Sequence, residues 1–197
     1  MTVADEDLTI ELSTAELREI AGYAVACAEP ALAIFERDCP DDPRARDALD
    51  QTRGFVAGGR RTRAMRVSAL AAHRAARAAQ ERGCAAAADA ARAAGHAGAA
   101  GYLHPLAKAT QVLHILGSAA HAARAFEIDA GDDPRVGAEH IERARELAGP
   151  VVVRVLARYP TAPSGGGRVG ELLRGLDDSL RRACVPPLTG GRPGRRR

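Results

Sequence analysis

The chain is predicted to be all-α, a single-domain bundle of about seven to eight helices. Three observations carry this. Apolar residues recur at three- and four-residue spacing from Leu17 onward, the period of a helix. Hydrophobic residues make up 46% of the 197 residues, with alanine, the strongest helix former, as the largest share. No stretch alternates with period two, and Val151-Val152-Val153, the one β-branched run, is too isolated to build a sheet. The length suits one domain with its own core. Aromatics are only 3% and tryptophan is absent, so that core must come from close helix contacts over alanine with Leu, Ile and Val between.

Each element has a local cause. Ser13-Thr14-Ala15-Glu16 is a capping box that opens the first helix. Leu17, Ile20, Ala21, Ala24 and Cys27 then share a face. Pro30 removes a backbone hydrogen bond and predicts a kink or restart, with Leu32, Ile34 and Phe35 continuing the apolar surface. Cys39-Pro40-Asp41-Asp42-Pro43 reads as a loop, with Asp42 as N-cap and Pro43 opening a second helix that ends at Gly58-Gly59. A third helix is predicted from Thr62 to about Arg82, closed by Gly83, and a fourth from about Cys84 to Gly101. Pro105 is expected to open a fifth that continues to about Ile128. Gly131-Asp132-Asp133-Pro134 repeats the loop, cap and proline logic for a sixth. Gly149-Pro150 breaks that helix, and Val151 to Tyr159 forms a short seventh. Pro160 to Gly167 is expected to be a flexible connection, and a last helix spans about Arg168 to Cys184. This organisation gives an N-terminal segment at 1–12, a helical domain at 13–184 and a basic, disordered tail at 185–197.

Composition narrows the function classes. Cys27, Cys39, Cys84 and Cys184 lie far apart and form no C-x-x-C pair, which argues against structural zinc. The start MTVADEDLT is acidic and lacks the basic and apolar regions of a signal peptide, and no apolar run reaches the length of a membrane span. The expected setting is therefore cytoplasmic, without membrane contact, and with reduced thiols. Net charge is +3 but uneven: residues 1–52 hold 13 acidic and 4 basic residues, a balance of −9, which leaves the remainder at +12. Such asymmetry steers charged partners to one face.

Residues 90–123 differ from the rest in their polar vocabulary. They hold His96, His104, His114 and His121, four of the six histidines, together with Lys108, the only lysine. On a fifth helix that starts at Pro105, His104, Lys108, Gln111, His114, Ser118 and His121 fall on one stripe, nearly uncharged, with Val112, Leu113, Leu116 and Ala120 largely opposite. A stripe of this kind suits a half-buried groove or a contact surface. It equally suits hydrogen-bonded polar residues that pack one helix on its neighbours. Asp89, Arg92 and His96 share a face of the preceding helix. The candidate binding residues are His96, Tyr102, His104, Lys108, Gln111, His114 and His121.

Metal ligation is not expected. His114 and His121 are too far apart in sequence for an adjacent-turn pair, no carboxylate lies between Arg92 and Glu127, and His73 or His96 would have to join from another helix. Catalytic residues are not expected either. There is no paired-carboxylate motif, no G-x-S-x-G and no phosphate-cradling loop, and Gly165-Gly166-Gly167 has no lysine and follows no strand. Nothing calls for a cofactor. Arg60, Arg61, Arg63, Arg66, Arg74 and Arg77 are the candidates for phosphate contact. Without a stacking platform or a recognition-helix motif they read as solvated helix faces rather than a nucleic-acid surface.

Three stretches carry a family resemblance: LSTAELREIAGYAVACAEPALAIFE, PDDPRARDAL, and AARAAGHAGAAGYLHPLAKATQVLHILGSAAHAARA. Together they resemble the "putative immunity protein" family, all-helical bacterial proteins of polymorphic toxin systems. The resemblance runs from about Leu8 to Cys184. Its most specific part is Ala94-Gly95-His96 followed by Tyr102-Leu103-His104-Pro105. It implies that the chain is no enzyme and neutralises a cognate protein toxin by direct binding. The acidic 1–52 region and the His96–His121 stretch are then the two candidate contact surfaces. The alternative is a helical module that holds a small molecule or metal in the histidine groove. An alanine-rich helix face suits packing within one chain or across a homo-oligomer.

Overall fold

Ser13 opens the first helix as predicted: its hydroxyl accepts from Glu16 N, and the Glu16 carboxylate accepts from Ser13 N in return. In this computed structural model residues 9–183 are described. Residues 1–8, the predicted tail at 185–197 and Cys184 lie outside the described residues. Helix α1 is Thr14–Ala28, and α2 is Leu32–Asp38. A 3-10 turn at Glu29–Ala31 joins them, the restart expected at Pro30. Then follow α3 (Arg44–Val56), α4 (Arg63–Glu81), α5 (Ala85–Ala100), α6 (Val112–Asp129), α7 (Pro134–Leu147), α8 (Pro150–Leu156) and α9 (Gly167–Ala183). The fold is the predicted all-α bundle. Among the described residues the only β pairing is one isolated antiparallel bridge, Thr9 to Leu106.

That bridge corrects the predicted fifth helix. Ile10 N donates to Pro105 O at 2.6 Å, and Ile10 itself is buried. Paired this way, the backbone at 105–106 is not helical. Residues 102–108 form a loop, Ala109–Gln111 a 3-10 turn, and α6 begins only at Val112. His104 and Lys108 therefore sit on the loop, and the single helical stripe expected from His104 to His121 does not exist.

A second correction concerns α6. It is not amphipathic against solvent. No side chain from Gln111 to Ile128 is exposed, because α1, α5, α7 and α9 all pack on it. Its Ala, Gly and Ser residues let those helices approach from every side. On α5, Gly98 is spaced for α4: a Cβ there would lie 2.6 Å from Ala69 Cβ and 3.2 Å from Ala69 Cα. Met65, Ala69, Ala72, Ala75, Ala76 and Ala79 are the buried face of α4 in this contact.

Polar groups tie the remaining elements. Arg18 donates to the carbonyls of Phe55, Gly58 and Gly59 and so satisfies the C-terminus of α3. The connection at 160–166, expected to be flexible, is pinned. Buried Asp177 accepts from Ala162 N at 2.8 Å, and Arg174 donates to Pro163 O and Gly165 O. Among the described residues no helix is long and apolar enough to cross a membrane.

Candidate functional site

Where α4, α5 and α6 pack, three histidines form a column. His73 of α4 meets His96 of α5 edge to face, with ring centroids 5.2 Å apart. His96 in turn stacks on His121 of α6 at 5.1 Å, the planes 14° apart. Two glycines make room: a Cβ at Gly95 would lie 2.7 Å from His73 Nε2, and one at Gly117 would lie 2.9 Å from His96 Nδ1. The column is thus a product of small residues on facing helices, and large rings occupy the space those residues leave.

The His121 end of the column meets charged groups. His121 Nδ1 lies 2.7 Å from Asp89 Oδ1. A carboxylate only accepts, so that ring nitrogen carries the proton. Arg92 donates to the same Asp89 oxygen at 3.2 Å and to Gln80 Oε1 at 3.4 Å. Burial lowers the His96 pKa well below the usual histidine range, and the neighbouring His121 and His73 add to the effect. Burial, then His121 and Arg92, lowers His73. Burial also lowers His114, which stands in the first turn of α6. The Nδ1 atoms of His96 and His114 are buried and make no hydrogen bond.

A cleft opens at each end of this column. One, about 330 Å³, is lined by His73, Arg77, Gln80, Glu81, Arg92 and His96. The other, about 580 Å³, lies where α5 and α6 meet the pinned connection, with Asp89, Arg92, His121, Arg124 and Arg168 in its wall. Arg92 lines both. The larger cleft has three guanidinium groups, but buried Glu127 already accepts from Arg124 at 2.6 Å and from Arg168 at 2.9 Å.

The structure therefore divides the seven candidate residues. His96 and His121 are in the column and His114 is on the same helix as His121, while Ser118 is spent on a hydrogen bond to Ala93 O at 3.0 Å. Tyr102, His104, Lys108 and Gln111 belong to the loop and its 3-10 turn. There the Gln111 side chain accepts from His104 N, His104 Nδ1 accepts from Leu106 N, and Tyr159 donates its hydroxyl proton to His104 O. Lys108 is exposed. Tyr102 donates to Thr62 O at 2.6 Å, and the guanidinium of Arg66 stands 4.8 Å from its ring centroid. His73 is the column member left out of the candidate set. The trace it leaves in the sequence is Gly95, a small residue on α5 opposite a ring of another helix.

Among the described residues no three His, Cys, Asp or Glu side chains converge as a metal site would require. The acidic first quarter is partly paired, with Arg37, Arg44 and Arg46 already in its balance and Arg53 and Arg158 reaching it from outside. Glu16, Glu29, Glu36, Asp38, Asp42 and Asp50 are each bonded to an arginine.

No curated protein and no solved structure matches the chain. A sequence model of the family described as "Imm-5 like putative immunity protein" matches residues 11–149. That span covers α1 to α7 and with them the whole histidine column, its Asp89 and Arg92 partners and the 102–111 loop. By that match over most of its length, the chain belongs to the Imm-5 like putative immunity protein family.

Proposed function

We propose that the protein neutralises a bacterial protein toxin by binding it, in the cytoplasm and without catalysis. The family match over residues 11–149 carries this reading. The geometry is in keeping with it. Two of the histidines that stood out in the sequence, His96 and His121, join helices to one another, as a rigid binding scaffold requires. Tyr102, His104 and Lys108 offer side chains from one surface loop for recognition. The test is to purify the tagged chain from its own host and to identify what it retains. One stoichiometric toxin-domain protein, whose growth inhibition is relieved by co-expressing this chain, is the expected result. Failure of the folded chain to retain a toxin that is present in the cell would overturn it.

One observation favours a second reading, a module for a small anionic molecule. The 580 Å³ cleft gathers Arg92, Arg124, Arg168 and His121 beside the N-terminus of α9, and because Asp89 and Glu127 already bond these groups an anion has only their remaining donors to use. It predicts a rise in melting temperature with inorganic phosphate or a dicarboxylate, abolished by Arg92→Ala. No rise at millimolar concentrations of either would remove it.

A further inference from the structure

Helix α4 turns a strongly basic face to solvent. Arg63, Val67, Leu70, Arg74 and Arg77 follow one another at four- and three-residue spacing, so they form a single stripe, with Arg66 beside it and Arg60 and Arg61 just before the helix. All six of these arginines are exposed, and among the described residues none is in an ion pair. Arg37, Arg44, Arg46, Arg53 and Arg168, by contrast, are each held by carboxylates. The reason lies in the sequence: from Gln51 to Gln80 there is no Asp or Glu at all. Within that stretch no carboxylate offsets the mutual repulsion of these charges, and Glu81, one turn beyond Arg77, is the first acid after it.

At the middle of the stripe are two aliphatic side chains that fold stability does not need outside. Val67 is 48% and Leu70 54% exposed, and only Leu147 at 51% joins them as a large exposed hydrophobic among the described residues. At its N-terminal end the face is organised rather than loose. Tyr102 anchors to Thr62 O and carries Arg66 over its ring at 4.8 Å and Arg61 at 5.9 Å. Stacking of this kind holds guanidinium planes in place and lowers the entropy lost on contact.

We infer that the exposed face of α4 is a docking surface for an acidic protein surface with an apolar centre, and that on the toxin-binding reading above it is where the toxin sits. An apolar centre ringed by arginines is the make-up of a protein–protein hot spot. Nucleic acid fits less well: Val67 and Leu70 would face phosphates and be desolvated against charge. Opposite charge on the partner relieves the repulsion along the stripe and speeds encounter.

The probe is the toxin domain that the wild-type chain retains from its host, purified and titrated against variants of the full chain. Arg66→Glu/Arg74→Glu and, separately, Val67→Asp should weaken binding by about tenfold or more. Arg143→Glu/Arg154→Glu, the same charge change on exposed arginines of α7 and α8 that form no ion pair among the described residues, should leave it within about twofold. All these positions are exposed, and an unchanged melting temperature shows that each variant is folded. Undiminished binding by the α4 variants overturns the docking surface and leaves the toxin reading intact. A wild type that retains no toxin overturns both. Two further results overturn the assigned occupant. One is binding of a 20-base-pair DNA duplex at physiological salt that the α4 changes abolish. The other is a wild-type dimer that Val67→Asp converts to monomer.

Discussion

Burial disfavours the charged form of three histidines, two of them in the column and the third, His114, on α6. His73, His96 and His114 all have folded-state pKa values below the ordinary 6.5. Above that value neither folded nor unfolded chain binds the protons. As pH falls below it the unfolded chain takes them up and the native chain resists, so stability drops. Arg77, Arg92, Asp89 and Glu81, charged groups beside the column, leave the shifts of His73 and His96 downward. Chemical denaturation followed from pH 7.5 to pH 5 is therefore expected to show a falling midpoint, with a shallower fall in His96→Asn. An unchanged slope in that variant would remove His96 from the effect. Cys27 gives a second test at this scale. Burial pushes its thiol up to about 12, and its neighbour is the buried Tyr23. At pH 8 it should resist iodoacetamide in the folded chain and react within minutes once urea unfolds it, as peptide mass mapping would show.

At the scale of elements, the closeness of α4 and α5 is the feature most open to test. Gly98→Ala would push a methyl group to 2.6 Å from Ala69 Cβ with α4 backbone just behind it. The helices must part, at a cost of about 1–3 kcal/mol, measurable by urea denaturation. Gly54 has nothing within 4 Å of its missing Cβ. The same change there should be neutral or raise stability by a few tenths of a kcal/mol through helix propensity. Most helix ends were legible because they rest on local chemistry. The Ser13–Glu16 box, Pro30, the Asp133 cap before Pro134 and the Gly83 stop each act within a few residues. The start of α6 was not legible. Pro105 is a good first helical residue, and only the approach of Ile10 from the far end of the chain turns it into a hydrogen-bond acceptor for an extended segment.

For the whole molecule, Glu127 is a keystone between distant parts. It is 2% exposed, binds Arg124 of its own helix and Arg168 of α9, and sits against Gly137 of α7, where no Cβ would fit. Glu127→Gln removes the buried carboxylate that the two guanidinium groups share and leaves each with an exposed partner, Asp132 for Arg124 and Glu171 for Arg168. Stability should fall by about 1–3 kcal/mol, and hydrogen exchange should accelerate in α7 and α9 before it does in α5. Equal acceleration throughout would show that the bundle opens only as one unit. Taken alone, the sequence determined the all-helical class, nearly every boundary, the membership of His96 and His121 in one polar stretch and the charge imbalance between the first quarter and the rest. Periodicity, capping and composition are properties of neighbouring residues, so they can be read without coordinates. Tertiary structure alone decided that His73 completes the column, that α6 is enclosed rather than half-exposed, and which six acids of the first quarter are bonded to arginines. It also decided that, among the described residues, the arginines of α4 form no ion pair around Val67 and Leu70. Each of these depends on which residues far apart in the chain are brought within a few ångströms, and only the packing of one helix on another sets that.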